Sequence, residues 1–396
     1  MAYSRRGWRC ELPHPRGNSD DLNPCAFDCS PRRRCSVEPV VPGAEDPQSR
    51  YSRELADDLP LLADRFGLGQ LHGRSFLPHG LMNPNWRVEA DAGVFALKRL
   101  IDVSAEKAEY RLKMPLALAT AGIPANTART ADDGSLVVRL GDGRAYALFD
   151  WASGEHLPGW KLGIDQAAHL GDVLGHLHHG MERAASDLSW PSAEEAVRSR
   201  VAEPKEAIAE ADRFRELIEA RPDHDAFDVQ TLQDLAERRA MLDEQASHRP
   251  YDESPLGPSG WTHGDVQYRN LFWSDGRVSA ILDWDRVGVR ALAEEVARTA
   301  AVHFAHEDGP MDLSHVAAFV QAYRTVVPLK DEYLVDAARR LWWRWLTDLW
   351  PLNWHYERAD RSCDSLWSSQ ARLLAWWSAR LEDVELAMSG GEFSLR

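Results

Sequence analysis

The chain has 396 residues, of which 44% are apolar, and it carries a formal net charge of −16. That length can bury one or two sizeable cores, and no apolar run approaches the roughly 20 residues that a membrane span requires. The acidic balance argues against nucleic acid or an anionic membrane as the main partner. It would suit a small cationic ligand, although acidity can equally serve solubility.

The first 52 residues differ in composition from the rest of the chain. They are rich in Arg, Pro and Ser and lack helical or strand periodicity, so we predict a disordered N-terminal extension over residues 1–52. Four of the five cysteines lie here, but only Cys25 and Cys29 have the spacing of a zinc-ligand pair, which favours disorder over a zinc site. The remaining cysteine, Cys363, leaves a chain suited to the reducing cytoplasm, where we expect the protein to reside.

Residues 53–150 show the pattern of a small sheet with helices at its edge. The first helix is predicted near residues 53–66, with Leu55, Leu59, Leu62 and Phe66 on one side. Ser104 can cap a second helix. Strands are predicted around residues 69–76, 80–89, 93–101, 135–140 and 145–151. Lys98 interrupts the third of these apolar runs, and a lysine there either faces solvent or reaches phosphates.

Residues 151–396 are predicted to be mostly helical. A charged helical insertion over residues 186–250 has narrow apolar stripes suited to an α-hairpin. His178 and His179 are adjacent, and adjacent side chains on a helix point in different directions. We therefore interpret this pair as a cap and a surface residue and not as a metal site.

Half of the sixteen tryptophans fall between Trp342 and Trp377. The adjacent pairs Trp342–Trp343 and Trp376–Trp377 are not expected to face inward together on one helix. Some of these indoles should therefore line a groove, meet another subunit or stack on a ligand. We slightly prefer the wall of a substrate site to a homodimer interface.

The polar residues with the most informative spacing lie between Trp261 and Asp285. Two apolar runs, 270–273 and 278–282, have strand character, and Asp275-Gly276 between them is a strong hairpin-turn signal. The hairpin should return Asp283 to the side of the loop that carries Asp265 and Asn270.

This arrangement is typical of phosphoryl transfer, in which the protein supplies a proton acceptor and holds Mg²⁺. Asp265 would be the base, Asn270 and Asp283 would give the metal hard oxygen ligands, and His263 would brace the loop. The alternative is an acidic hairpin with a surface loop. The Asp-x4-Asn spacing, followed by a strand pair and Asp-Trp-Asp285, favours the catalytic interpretation.

His263-Gly-Asp-x4-Asn270 and Ile281-Leu-Asp-Trp-Asp285 resemble the aminoglycoside phosphotransferase and choline kinase-like superfamily, and the resemblance spans about residues 70–325. It implies an α+β, protein kinase-like fold of two lobes. The small antiparallel-sheet lobe would cover residues 53–150, and the larger, mostly helical lobe would cover 151–396. Asp-Phe-Gly and Ala-Pro-Glu are missing downstream, which argues against a protein kinase with an activation loop.

The resemblance also assigns residues to nucleotide binding. Lys98 would pair with the α- and β-phosphates, and Glu109, preferred over Glu106, would hold that lysine in place. The turn Asn83-Pro84-Asn85 resembles the family's Asn-x-Asn variant of the phosphate loop.

The resemblance further places the hinge of the two lobes at the end of the strand 145–151. Backbone groups from Phe149 to Trp151 would bond the purine. An ordinary edge strand fits the sequence there equally well.

The implied activity is transfer of the γ-phosphoryl group of ATP or GTP to a hydroxyl of a small molecule. The first expected acceptor is an antibiotic of aminoglycoside, nucleoside or peptide type, which implies resistance or self-protection. The alternative is a metabolite such as homoserine or choline. A non-catalytic nucleotide-binding protein is a third class, against which the intact Lys98, Asp265, Asn270 and Asp283 argue.

Overall fold

The computed structural model describes residues 47–78, 83–193 and 197–391. Residues 1–46 lie outside the described residues, and with them lie most of the segment predicted to be disordered and all four cysteines of the alternative zinc site. The first helix already begins at Pro47, inside the segment that we predicted to be disordered. None of the helices in the described part of the chain is long and apolar enough to cross a membrane.

A five-stranded antiparallel sheet forms the small lobe, in the order β1-β2-β3-β5-β4. Its strands are β1 (Leu71–Leu77), β2 (Asn85–Ala90), β3 (Gly93–Arg99), β4 (Val138–Arg139) and β5 (Ala145–Asp150). Lys98 lies in β3 with Asn85 and Ala147 as its cross-strand neighbours. Because β3 is the central strand, the lysine lies in the middle of the sheet, and the pairing with β2 and β5 fixes its position along the strand.

Helix α1 (Pro47–Arg65) covers one face of this sheet. The predicted apolar stripe is buried against Trp86, Phe95 and Tyr146, and each of its four members is at most 6% exposed. Asp58 on the same helix is buried but paired, since it accepts hydrogen bonds from Tyr146 Oη at 2.6 Å and Arg144 Nη2 at 2.8 Å. The pairing satisfies a carboxylate that burial alone would make costly.

Helices α2 (Ala105–Arg111) and α3 (Lys113–Thr120) follow the third strand. Ser104 caps α2 as predicted, since its side chain accepts a hydrogen bond from Lys107 N. Pro115 lies in the first turn of α3. Proline is tolerated there because backbone N–H groups in the first turn of a helix have no acceptor within the helix, so the missing N–H of proline costs no hydrogen bond. The proline therefore marks a new helix and not a kink in α2.

The large lobe is helical, and two of its helices pack at unusually short range. Gly171 on α4 shows this, because a Cβ there would lie 2.0 Å from Phe319 O on α8. The helices are α4 (Ile164–Asp187), α5 (Pro204–Glu219), α6 (Ala226–Glu244), α7 (Leu292–Phe304), α8 (Leu313–Val326), α9 (Asp331–Thr347), α10 (Trp350–Arg358), α11 (Asp364–Ser378) and α12 (Leu381–Met388). The predicted insertion contains the α5–α6 hairpin, which packs on α11 through Phe214 and Trp367.

The prediction that adjacent tryptophans cannot both be buried is wrong for Trp342 and Trp343. Both are at most 1% exposed. Trp342 Nε1 donates to Ser378 Oγ and Trp343 Nε1 to Ala202 O, each at 3.0 Å. Because other elements cover α9 on both sides, neighbouring positions can be buried together, and these two indoles form core and not a substrate wall.

Two short antiparallel strand pairs lie in the large lobe. One joins β6 (Ser259–Thr262) to β9 (Gly288–Ala291), and the other joins β7 (Leu271–Ser274) to β8 (Arg277–Ile281). Together with the sheet lobe and the helices, they confirm the predicted two-lobed, kinase-like α+β fold. They also position the loops that carry the polar residues singled out above.

Candidate active site

The predicted hairpin is formed by β7 and β8. Asp275 and Gly276 both have left-handed backbone angles, with φ of 51° and 74°, as a tight hairpin turn requires. At the open end of the hairpin, Leu282 N donates to Asn270 O at 2.8 Å. Asp283 follows with φ of 62°. The chain therefore turns sharply beside the loop that begins at the end of β6.

His263 fixes the geometry of that loop. Its Nε2 lies 2.9 Å from Leu282 O, and its Nδ1 accepts a hydrogen bond from Asp265 N at 3.2 Å. A ring that donates from Nε2 and accepts at Nδ1 is neutral, and burial lowers the pKa of His263. These contacts are those of a residue that braces the loop.

Asp265 is buried and held through both carboxylate oxygens. Oδ1 lies 2.6 Å from Arg298 Nη2, while Oδ2 accepts hydrogen bonds from Gln267 Nε2 and Asn270 Nδ2, each at 3.1 Å. Burial raises the pKa of Asp265, but Arg298 and then Arg286 outweigh burial and hold the pKa below its ordinary value. The carboxylate is therefore ionised at neutral pH and its orientation is fixed.

Lys98 connects the sheet lobe to the hairpin. Its Nζ lies 2.7 Å from Asp283 Oδ1 and 2.6 Å from Asp285 Oδ2. Burial lowers the pKa of Lys98, but the two carboxylates outweigh it and raise the pKa above the ordinary value. Asp283 nevertheless exposes 43% of its side chain, so its carboxylate is reachable by a further ligand.

The expected ion pair between Lys98 and Glu109 is not formed. Glu109 instead accepts hydrogen bonds from Leu136 N at 2.9 Å and Val137 N at 2.8 Å. The backbone of the segment before β4 thus occupies the carboxylate. Asp283 and Asp285 are the carboxylates that hold Lys98 in this structure.

Asn83, the first residue of the turn that resembles a phosphate loop, contacts a residue of the other lobe. Its Nδ2 donates to Asp285 Oδ2 at 3.0 Å, and its Oδ1 accepts from Ile101 N at 2.7 Å and Asp102 N at 3.2 Å. The side chain thereby ties the segment after β3 to the hairpin of the other lobe. The resemblance singled out the turn, but it did not predict the contact between Asn83 and Asp285, which are 202 residues apart in the sequence.

Asn85, Phe149 and Trp151 lie where the strands place them, and their nucleotide roles remain predictions. Asn85 Nδ2 donates to Asn83 O at 2.8 Å. Phe149 is the cross-strand partner of Ala96 in β3. Trp151 donates its backbone N–H to Val94 O at 3.1 Å, so this group is already bonded within the sheet.

A buried carboxylate and a buried imidazole hold the loop that follows β6. Glu295 on α7 accepts hydrogen bonds from the backbone N–H groups of His263, at 3.0 Å, and Gly264. It also lies 2.8 Å from His178 Nε2, and His178 Nδ1 lies 2.9 Å from Tyr323 Oη. The prediction that His178 is a cap or surface residue is therefore wrong, because His178 lies on the buried side of α4.

His179, its neighbour, is exposed as predicted. Sequence reasoning missed Glu295 because no fixed spacing links it to the loop. Gly264 is required for the same packing: its φ is +84°, and a Cβ there would lie 2.5 Å from Arg286 O.

Comparisons with known proteins show the family to which the chain belongs. Residues 74–329 match the model of the phosphotransferase enzyme family. Homoserine kinase from Methylobacillus glycogenes is 25% identical over 292 residues, covering 72% of this chain and 82% of that enzyme. Homoserine kinase from Methylobacillus flagellatus is likewise 25% identical over 293 residues, covering 72% of this chain and 82% of that enzyme.

Solved structures share the fold at lower sequence identity. Spectinomycin phosphotransferase, in complex with ADP and spectinomycin, has a TM-score of 0.60 at 15% identity, covering 83% of this chain and 98% of that one. Amicoumacin kinase, in complex with AMP-PNP and Ca²⁺, has a TM-score of 0.51 at 15% identity, covering 88% and 97%. The family match spans more than half of the sequence and includes the loop with Asp265. The chain therefore belongs to the phosphotransferase enzyme family.

Proposed function

We propose that the protein transfers the γ-phosphoryl group of ATP or GTP to a hydroxyl of a small molecule. The observation that carries this proposal is the convergence of an ionised Asp265, an Asn270 bonded to it, and Lys98 paired with Asp283 across the two lobes. A non-catalytic protein would have no need to keep all four groups together. Their placement supports an enzyme.

Asp265 acts on the acceptor. The acceptor oxygen forms a bond to the γ-phosphorus as the bond to the bridging oxygen of the nucleoside diphosphate breaks, and the hydroxyl proton passes to the Asp265 carboxylate. Arg298, Gln267 and Asn270 fix the carboxylate before the acceptor arrives. Such positioning supplies much of the rate enhancement in phosphoryl transfer.

Asn270 and Asp283 are the residues that would hold Mg²⁺. Among the described residues, no group of three or more His, Cys, Asp and Glu side chains could hold a metal by itself. Two hard oxygen ligands nevertheless fit Mg²⁺, which takes its other ligands from water and substrate phosphates. The bound metal supplies charge neutralisation on the transferring group.

Lys98 would bind the nucleotide phosphates with the ammonium that now faces Asp283 and Asp285. Since the carboxylates of Asp283 and Asp285 raise its pKa despite burial, the lysine stays charged in the physiological pH range. Asp285, rather than Glu109, keeps it in position.

Two acceptor classes have support from the comparisons. An antibiotic-type acceptor is supported by the spectinomycin and amicoumacin enzymes, with which this chain shares the fold at 15% identity. A metabolite acceptor is supported by the homoserine kinases, which match by sequence over most of their length. We favour the metabolite class because sequence similarity over that length is the closer relationship.

A direct test is nucleotide consumption with a panel of hydroxylated small molecules, including an aminoglycoside, spectinomycin, choline and homoserine. Phosphorylated product should appear in the presence of Mg²⁺, and ³¹P NMR would identify the phosphate ester. Asp265→Asn should be silent in the same assay. Nucleotide consumption that is equal in both proteins would contradict the proposal.

A further inference from the structure

Beside Asp265, on the side of α7, a crevice with a free volume of about 10 Å³, room for one water-sized group, is lined by charged residues. They are contributed by the loop after β6, by β9, by α7 and by α9. The lining residues are Gly264, Arg290, Glu294, Glu295, Arg298 and Arg344. Because Arg298 touches Asp265 directly, a molecule in this crevice lies next to the proposed base.

Glu294 and Arg344 face each other in the crevice. Arg344 Nη2 lies 3.5 Å from Glu294 Oε2 and 3.4 Å from Ser199 Oγ. The Glu294 side chain is only 10% exposed, yet its Oε1 has no hydrogen-bond donor among the described residues. A buried carboxylate oxygen without a donor is costly, and it is suited to receive a donor from a ligand.

Arg290 gives the crevice positive charge. Its guanidinium donates to Thr262 Oγ1 at 2.8 Å and to Arg286 O at 2.9 Å, both of which are neutral acceptors. No carboxylate of the described chain lies within ion-pair distance of it, and its buried Nε has no acceptor there. Burial, together with the charges of Arg111 and Arg286, lowers the pKa of Arg290 to about 10, although Glu295 opposes this shift.

We propose that the charged end of the acceptor binds at the opening of this crevice, with one carboxylate oxygen entering it toward the guanidinium groups of Arg298, Arg344 and Arg290 and with its ammonium at Glu294. The acceptor would then be a hydroxylated amino acid whose hydroxyl reaches Asp265. This inference rests on the proposed phosphotransferase function and deepens it. It also differs from the cationic acceptor suggested by the net charge of −16, since the charge of the whole chain does not describe the crevice.

A carboxylate suits the crevice better than a phosphate. Glu294 and Asp265 lie within the same group of charges, and they would repel a dianion more strongly than a monoanion. A zwitterion satisfies both the guanidinium groups and the vacant acceptor Oε1 of Glu294. Planar guanidinium groups also match the two oxygens of a carboxylate.

Three related alcohols test the proposal. Homoserine carries both charged groups, 4-hydroxybutanoate lacks the ammonium and 3-aminopropan-1-ol lacks the carboxylate, while all three present the same terminal hydroxyl. Steady-state kinetics and calorimetric binding should both rank homoserine first. Loss of the carboxylate should lower kcat/KM by about 10- to 100-fold, the range expected for charge-assisted hydrogen bonds.

Variants locate the effect in the crevice. Arg344→Met should raise KM for homoserine by about tenfold or more and raise KM for 3-aminopropan-1-ol much less, and Arg344→Lys should recover part of the loss. Glu294→Gln should raise KM for the two amines more than KM for 4-hydroxybutanoate. Arg339→Met is the matched control, because Arg339 also lies on α9 but pairs with Glu385 at 2.5 Å.

The outcomes separate this inference from the proposed function. If 3-aminopropan-1-ol or an aminoglycoside is phosphorylated as efficiently as homoserine, the carboxylate site is overturned while the phosphotransferase function stands. If no alcohol is phosphorylated, the function fails, and calorimetry still tests the crevice through homoserine binding that Arg344→Met weakens. Absence of both binding and turnover with the two carboxylate probes overturns the inference.

Discussion

The two sides of the loop after β6 carry different charge balances. On the proposed nucleotide side, one ammonium, Lys98, faces the carboxylates of Asp283 and Asp285. On the α7 side, the three guanidinium groups of Arg290, Arg298 and Arg344 are matched in number by the three carboxylates of Asp265, Glu294 and Glu295. An excess of carboxylate suits a metal ion, whereas a balanced set of charges suits a zwitterion. The contrast teaches that a single site can be prepared for two ligands of different charge, which the net charge of the protein does not reveal.

The largest expected effect is the loss of turnover in Asp265→Asn, because Asp265 lies between the two sides of the loop. Turnover should fall by about 10²–10⁴-fold, because general-base catalysis typically contributes that much. Nucleotide affinity should stay nearly unchanged because no proposed metal ligand is removed. Rapid-quench kinetics and calorimetry would measure the two quantities.

Asp275→Asn is the matched control for Asp265→Asn. It makes the same chemical change at the exposed hairpin turn, where Asn also tolerates the left-handed backbone. Its turnover should equal that of wild type. A loss in Asp265→Asn of less than about tenfold would remove Asp265 from the role of base, since it lies below the contribution of general-base catalysis.

A second, smaller effect distinguishes the two carboxylates that face Lys98. Asp283→Ala should remove most of the gain in nucleotide affinity that Mg²⁺ provides, a change of at least about tenfold or 1.4 kcal/mol. Asp285→Ala removes a partner of Lys98 and Asn83 but no proposed metal ligand. It should lower affinity with and without Mg²⁺ alike. Calorimetry in both conditions would decide, and an equal loss of the Mg²⁺ gain would mean that Asp285 is also a ligand.

Much of the nucleotide side could be predicted from the sequence because its signals are local. Asp275-Gly276 fixes a two-residue turn, and the Asp-x4-Asn spacing places two side chains on one short loop. The α7 side depends on tertiary contacts that no spacing encodes. Glu295 and Arg298 meet the loop through packing of α7, and His178 reaches Glu295 from α4.

The buried tryptophans show a similar limit of local reasoning. Helical geometry turns adjacent residues in different directions, but it does not say how many sides of a helix are covered. The burial of Trp342 and Trp343 follows from elements on both sides of α9. The contacts of Glu109 were not predicted for a related reason: its carboxylate bonds to the backbone N–H groups of Leu136 and Val137, which lie far from it in the sequence.

His178→Phe tests whether the contact between His178 and Glu295 stabilises the loop that follows β6. Glu295 would stay buried beneath the loop with one donor fewer, so the free energy of unfolding should fall by about 1–3 kcal/mol. We also expect kcat to fall severalfold while KM for the nucleotide is unchanged, because the loop and not the Lys98 side is disturbed. Denaturant unfolding and steady-state kinetics would measure both.

His179→Phe is the control for His178→Phe, since the neighbouring imidazole is exposed and should tolerate the change. Equal stability in the two variants would show that the bond between His178 and Glu295 does not support the loop. A loss of stability without a change in kcat would restrict His178 to a structural role.

The smallest expected effect concerns His303, a buried imidazole on α7 that has no carboxylate partner, in contrast to His178. Its Nδ1 lies 2.9 Å from Thr299 O, and its Nε2 has no hydrogen-bond partner among the described residues. Burial lowers the pKa of His303 to about 4. Between that value and about 6.5 the unfolded chain binds the proton more readily, so stability is present above pH 6.5 and is lost as the pH falls toward 4.

From pH 7 to pH 5.5, His303 should therefore remove about 1 kcal/mol of unfolding free energy. His303→Phe cannot take up the proton, so its stability should fall less over this interval than that of wild type. Urea titrations at the two pH values measure the difference, and the slope matters more than the absolute stability, which the larger ring can also change. If His303→Phe keeps the wild-type slope, a carboxylate or water must stabilise the protonated ring, and the contrast between the two buried histidines would not stand.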